Sequence, residues 1–349
     1  MTERMHHRSR PAVSQAQETV ATVTAWPPFT AATRIKVVAT LGGTLLVVAP
    51  VAAALLLRPG SGTRTPPAQA PPAAAPTPAP AHSGFPAPPS GAVVFSRELG
   101  SDALALGVVP QRGRLVLQAS VLGPQGSGVS GLAASFTVQG ARKSATPCGP
   151  GCYRATLAAS GRPSSVTLEL RGGRAARWRV ALPESWPPTD ASALLARAGR
   201  VWRALRSLSF RETLASGPGE MVRSTWQMQA PDRLAYQVRG GWAAVVVGGR
   251  RWDRSPGGGH WVASPQTPLT QPIPFWVSVR DAHVLGTGTV EGRPVWRVSF
   301  FDPDTPAWFD VALERSTLRT LELRMITTAH FMHDVYGSFN ATPAILPPR

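Results

Sequence analysis

The sequence predicts a mainly β protein with one transmembrane helix, in which a β-sandwich is followed by a helix and a curved antiparallel sheet. Three observations carry this. One run of 23 residues, Ile35 to Leu57, is apolar except for Lys36. Short runs with period-two alternation then recur between Gly, Pro and Asp breaks from about residue 91 to the C-terminal region. A single stretch of helical periodicity, near residues 190–208, divides those runs into two groups.

Residues 1–34 read as a short basic tail, with Arg4, Arg8 and Arg10 tipping the balance toward a cytoplasmic N-terminus. The segment 35–57 is long enough at ~1.5 Å per residue to cross a hydrocarbon core of ~30 Å, and Lys36 can snorkel to the interface. Residues 58–90 form a Pro/Ala-rich linker containing PPAQAPPAAAPTPAPA, a composition that gives a semi-extended spacer rather than a core. Such a spacer suits folded domains held away from a bilayer. The expected location is therefore the cell membrane, single-pass, with residues 58–349 extracytoplasmic.

Within 91–183 the strand candidates are RLVLQASVL (114–122), ASFTV (134–138), YRATLA (153–158), SVTLEL (165–170) and RWRVALP (177–183). In SVTLEL, Val166, Leu168 and Leu170 share one face and Thr167 and Glu169 the other, as in a half-buried strand. This spacing suggests an antiparallel sandwich of the immunoglobulin-like class. Residues 189–349 open with a helix capped by Thr189 or Asp190 and running to about Leu208. Leu194, Leu195, Ala198, Val201, Trp202 and Leu205 fall on one face, with Arg197, Arg200, Arg203 and Arg206 opposite. Its apolar face can pack on the sheet that follows or lie on a membrane surface. The sheet is expected from 210–214, 221–228, 233–238, 243–247, 284–286, 295–301, 308–313 and 318–328.

Charge and motifs bound the function. Lys and Arg total 36 against 19 Asp and Glu, a net charge of +17, and only Lys36 and Lys143 are not Arg. This surface would attract anionic lipid headgroups or an anionic envelope polymer. The arginines are scattered rather than clustered, which argues against nucleic acid. No H-E-x-x-H, G-x-S-x-G, P-loop or dinucleotide fingerprint occurs, so no enzyme activity is expected.

The two cysteines, Cys148 and Cys152, sit in C-G-P-G-C, where a disulfide would fix a tight turn and a dithiolate would suit Cu(I). The segment AHFMHD brings His330, Met332 and His333 close in sequence as candidate copper ligands. On a strand, however, His330 and Met332 point to one face and His333 to the other. They can equally be ordinary strand-end and core residues.

The stretches SFRETL (209–214), APDRLAY (230–236), GRRWDR (249–254), WRVSFFDPDTPAWFDV (296–311) and MITTAHFMHDVYGSFN (325–340) resemble LolA-like half-barrels. The likeness is to those at the C-terminus of actinobacterial CopC/CopD-type copper-transport proteins. CGPGCYRATL (148–157) is similar to the immunoglobulin-like module that often precedes that half-barrel. A copper permease has a helix bundle where this chain has one span, so the resemblance implies an accessory domain pair. It further implies an acyl chain or other apolar ligand in the concavity, with Trp226, Trp242, Trp296, Phe300, Trp308 and Leu323 as lining candidates. The alternatives are a copper-homeostasis accessory protein, with copper as cofactor, and a stalked structural or interaction module.

Overall fold

The computed structural model describes residues 86–349 apart from position 329. The expected tail, transmembrane helix and most of the linker lie outside the described residues. Among the described residues, no helix is long and apolar enough to cross a membrane.

The first domain contains β1 (Val93–Leu99), β2 (Asp102–Gln111), β3 (Arg114–Leu122), β4 (Ala133–Val138), β5 (Ala141–Ser144), β6 (Thr146–Gly149), β7 (Cys152–Ala158), β8 (Ser165–Arg171) and β9 (Ala176–Ala181). They form two antiparallel sheets, β1-β2-β3-β7-β6 and β5-β4-β8-β9. The sheets enclose a common core that includes Leu104, Leu106, Leu115, Leu117, Phe136, Val166 and Leu168. The alternation read in SVTLEL is present, with Val166, Leu168 and Leu170 buried. β1 and β2, absent from the strand candidates, are paired along their length from Val93–Val108 to Leu99–Asp102. The chain joins this domain before Val93, because Ser120 Oγ donates to the Pro86 carbonyl (2.6 Å) and Gln118 Nε2 to that of Ala87 (2.8 Å).

The second domain opens with α1 (Ser192–Arg203). It continues through β10 (Ser207–Ala215), β11 (Met221–Gln229), β12 (Arg233–Val238), β13 (Ala243–Val247), β14 (Arg250–Arg254) and β15 (Val262–Pro265). After a segment without regular structure, residues 266–279, come β16 (Arg280–Val290), β17 (Arg293–Asp302), β18 (Ala307–Glu314), β19 (Thr320–Thr327) and β20 (His330–Gly337). All belong to one antiparallel sheet of 11 strands, ordered β15-β14-β13-β12-β11-β10-β20-β19-β18-β17-β16. The β10–β20 pairing joins the two halves, so the first strand after the helix lies beside the last strand of the chain.

α1 ends at Arg203, short of the expected Leu208, because Ser207 already begins β10. Its N-cap is Ala191, not the expected Thr189 or Asp190, and no side chain caps it; Asp190 Oδ1, one place earlier, accepts from Ser192 N at 2.6 Å. Leu195, Ala198, Trp202 and the following Leu205 are buried, while Arg197, Arg200, Arg203 and Arg206 are exposed. The apolar stripe is thus packed on the sheet, with Leu194 and Val201 partly buried at its borders.

The sandwich docks on the outer face of this sheet. Ala92, Val94, Ala103, Ala105 and Leu122 pack with Ala215, Phe301, Trp308, Ile326 and Phe331 in one apolar cluster. At its border Gly91 N donates to Asp281 Oδ1 (2.8 Å) and Arg280 Nη2 to the Pro88 carbonyl (3.0 Å), with the Arg280 guanidinium 4.7 Å from the Phe301 ring centroid.

Candidate functional site

The inner face of the large sheet is apolar and rich in aromatic rings. Side chains alternate across a strand, so one parity of each strand supplies this face: Phe210 from β10, Trp226 and Met228 from β11, Leu234 and Tyr236 from β12. From the other half come Val298 and Phe300, Phe309 and Val311, Leu323 and Met325, then Met332 and Tyr336. Phe210 and Trp226 stack at 5.7 Å with 3° between planes, and Phe300 stacks on Phe309 at 4.9 Å.

This face is covered by α1 and by residues 266–279, not by a second sheet. Leu269, Ile273, Phe275 and Trp276 of that segment are partly buried against the inner cluster. Phe275 meets Trp202, Phe210 and Tyr336 at 5.6, 5.8 and 5.7 Å, and Trp276 meets Phe300 edge-on at 5.4 Å. Several hydrogen bonds hold the segment down. Gln271 N donates to the Pro231 carbonyl (2.8 Å), Trp202 Nε1 to that of Ile273 (3.1 Å), and Val277 N to the buried Asp302 Oδ2 (2.8 Å).

One polar row crosses the apolar face. Glu212 on β10 lies directly opposite Ser224 on β11 and Asp334 on β20. The rows on either side are apolar or aromatic: Val222, Leu214 and Met332 toward one end, Trp226, Phe210 and Tyr336 toward the other. Glu212 Oε2 accepts from Ser224 Oγ (2.7 Å) and Trp226 Nε1 (2.9 Å), and Asp334 Oδ2 accepts from Tyr336 Oη (2.6 Å). Asp334 is 0% exposed, and its Oδ1 is buried without a hydrogen-bond partner. Burial raises the pKa of Glu212, while that of Asp334 is raised well above the carboxylate range by burial and by the neighbouring charge of Glu212.

A second concavity of about 990 Å³ lies between the domains, over the outer face of β16–β19. It is lined by Ser96 and Glu98 of β1 and by Arg297, Asp310, Glu322 and Arg324 of the sheet. Glu322 accepts from Arg297 (2.7 Å) and makes a 2.8 Å contact with His333 Nε2. The bond to His333 first, then the nearby Arg297, holds the Glu322 carboxyl down at about 2. Burial pushes Asp310 up to about 6 against the pull of Arg297 and Arg324.

The sequence candidates fall on several surfaces. Trp226, Phe300 and Leu323 lie on the inner face. Trp296 is partly buried at its margin, under the Arg315 guanidinium at 4.8 Å. Trp308 is a correction: it has the opposite parity to Phe309 and is buried beneath the sandwich. Trp242 is another, 40% exposed in the turn between β12 and β13. The copper candidates are likewise dispersed. Met332 is buried in the inner core, His333 is on the outer face with Glu322, and His330 opens β20. Among the described residues no group of three His, Cys, Asp or Glu is placed to hold a metal ion.

Cys148 and Cys152 are joined as a disulfide, so no thiolate pair is offered to Cu(I) in this state. The turn they close presses on β3, with Val121 N donating to the Gly151 carbonyl at 2.8 Å. A Cβ on Gly151 would lie 2.3 Å from the Val121 oxygen, and φ there is +65°, so the G-P-G spacing serves a close approach.

Glu212 and Asp334 were missed as site residues. Their signal was parity: in F-R-E-T-L and M-H-D-V-Y an acid stands at an inward position between two apolar ones.

An open antiparallel sheet wrapped around one helix, with an apolar inner face, is consistent with a LolA-like half-barrel. No protein-family description and no curated protein matches the chain. Among solved structures, LprF from Mycobacterium bovis is similar at 13% identity and a TM-score of 0.36, over 46% of this chain and 98% of that one. Lipoprotein LppX from Mycobacterium tuberculosis is similar at 9% identity and a TM-score of 0.33, over 44% and 96%. A LolA-superfamily protein from Nitrosomonas europaea is similar at 10% identity and a TM-score of 0.22, over 46% and 96%.

Proposed function

We propose that this chain is a membrane-anchored, extracytoplasmic, non-enzymatic binding protein whose half-barrel holds an acyl chain or comparable apolar ligand. One observation carries the reading. The inner face is closed by an irregular segment that places Leu269, Ile273, Phe275 and Trp276 where the chain of a ligand would lie. Such a cover is held by a few hydrogen bonds and ring contacts, and it can yield to a ligand without breaking a sheet. The disulfide supports an oxidising compartment. The sandwich, which we take as the immunoglobulin-like module of this arrangement, acts as a fixed bracket on the outer face.

The test is native mass spectrometry of the full chain, purified without added lipid, beside the Phe275→Ala/Trp276→Ala variant. Bound species of several hundred daltons, retained more strongly in the variant, are expected. An empty wild type and an empty variant, both failing to take up an alkyl probe, would sink the proposal.

A further inference from the structure

We propose that the ligand of the inner face carries a protonated amine, seated on the Ser224–Glu212–Asp334 row with its hydrocarbon on the flanking apolar rows. This rests on the half-barrel reading above and narrows it to long-chain amines.

Two carboxylates facing each other across the β10–β20 pair in an apolar wall need either a shared proton or a cation. Among the described residues no cationic side chain bonds to either carboxylate. The groups acting on Glu212 are Ser224 and Trp226, and those acting on Asp334 are Glu212 and Tyr336. Of the other charged groups on the inner face, Arg251 and Asp253 satisfy each other at 2.6 Å and leave Arg251 bonded to Tyr236 Oη at 3.0 Å, while Asp302 accepts from Val277 N (2.8 Å) and Ser278 Oγ (3.1 Å) of the covering segment. His330, two places before Met332 on the same strand, is kept toward its neutral form by burial.

The unpartnered, fully buried Asp334 Oδ1 is an acceptor lacking a donor. An ammonium offers three donors and no acceptor. It would donate to that oxygen and neutralise the pair, whereas a hydroxyl would leave the charge uncompensated. The absence of a metal-holding group among the described residues argues against a divalent cation. There is also a way in, since Glu212 is only partly buried and Val222, on the next row, is 41% exposed.

The experiment uses the full chain in amphipol with three probes of one length: octylamine, octanol and octanoate. Isothermal titration is run on the wild type and on Glu212→Gln/Asp334→Asn. Octylamine is expected to bind the wild type at least about tenfold tighter than octanol, and octanoate weakest. The double variant should lose the amine preference while holding octanol within about threefold. A wild-type measurement stands beside it: titrations in buffers of different ionisation enthalpy should show proton release when octylamine binds. If no probe binds, the half-barrel reading itself fails. If octanol and octylamine bind the wild type equally and no proton is released, the apolar reading stands and the amine site is overturned.

Discussion

Replacing Asp310 by Asn should stabilise the protein in a way that depends on pH. Asp310 lies on the outer face of β18, opposite Ser299 on β17 and Arg324 on β19, with its Oδ1 buried and unpartnered in the interdomain cleft. Its carboxyl is pushed up to about 6 from the usual 3.8, chiefly by burial and despite Arg297 and Arg324. The folded state therefore binds the proton more tightly than the unfolded chain. Stability contributed by the protonated form is fully present below about 3.8, falls as pH rises, and is lost above about 6. At ~1.4 kcal/mol per pH unit, that interval corresponds to about 3 kcal/mol at neutral pH. Asn has nearly the same shape and no charge to desolvate, so Asp310→Asn should recover up to ~3 kcal/mol at pH 7.5 and close to nothing at pH 3.5. Urea unfolding of both proteins at the two pH values measures this. A gain of the same size at both, or a loss at pH 7.5, would refute the reasoning.

Trp308→Ala should cost ~3–5 kcal/mol, because it empties the centre of the domain interface, and thermal melts should then resolve into two transitions. Cys148→Ser should cost about 2 kcal/mol, the loop entropy of so short a ring, leaving the fold intact by circular dichroism. The unreduced wild type should weigh two protons less than its reduced form.

Much of the architecture was legible because it rests on local periodicity. The stripe from Leu195 to Leu205 and the alternation in 165–170 are properties of single elements, and the structure contains both. β1 and β2 escaped because DALALGVV is buried at nearly every position and so shows no alternation to read. The lining tryptophans were only partly legible. Residue type marks Trp308 and Trp242 as large and apolar, but which face a residue takes is set by register and by what packs outside. Glu212 and Asp334 are invisible as a pair until β10 and β20, more than a hundred residues apart in the chain, are placed side by side.

The docking of the sandwich is itself recorded in strand composition. β12, whose outer face meets solvent, alternates: Leu234 and Tyr236 are buried, while Arg233 and Ala235 are only partly so and Gln237 is exposed. β18 does not, since Ala307, Trp308 and Phe309 are all buried, as are Val311, Ala312 and Leu313, with Ala312 in a separate small cluster with Val290, Val295 and Leu321. An antiparallel strand that is apolar on both parities needs a cover on both sides. α1 and residues 266–279 provide the inner one, and β1 and β2 provide the outer one over Trp308. Asp310 interrupts that run at the edge of the footprint, where the cover gives way to the cleft. The loss of alternation at Ala307–Phe309 thus records the docked sandwich, and Asp310 stands where that contact gives way to the cleft.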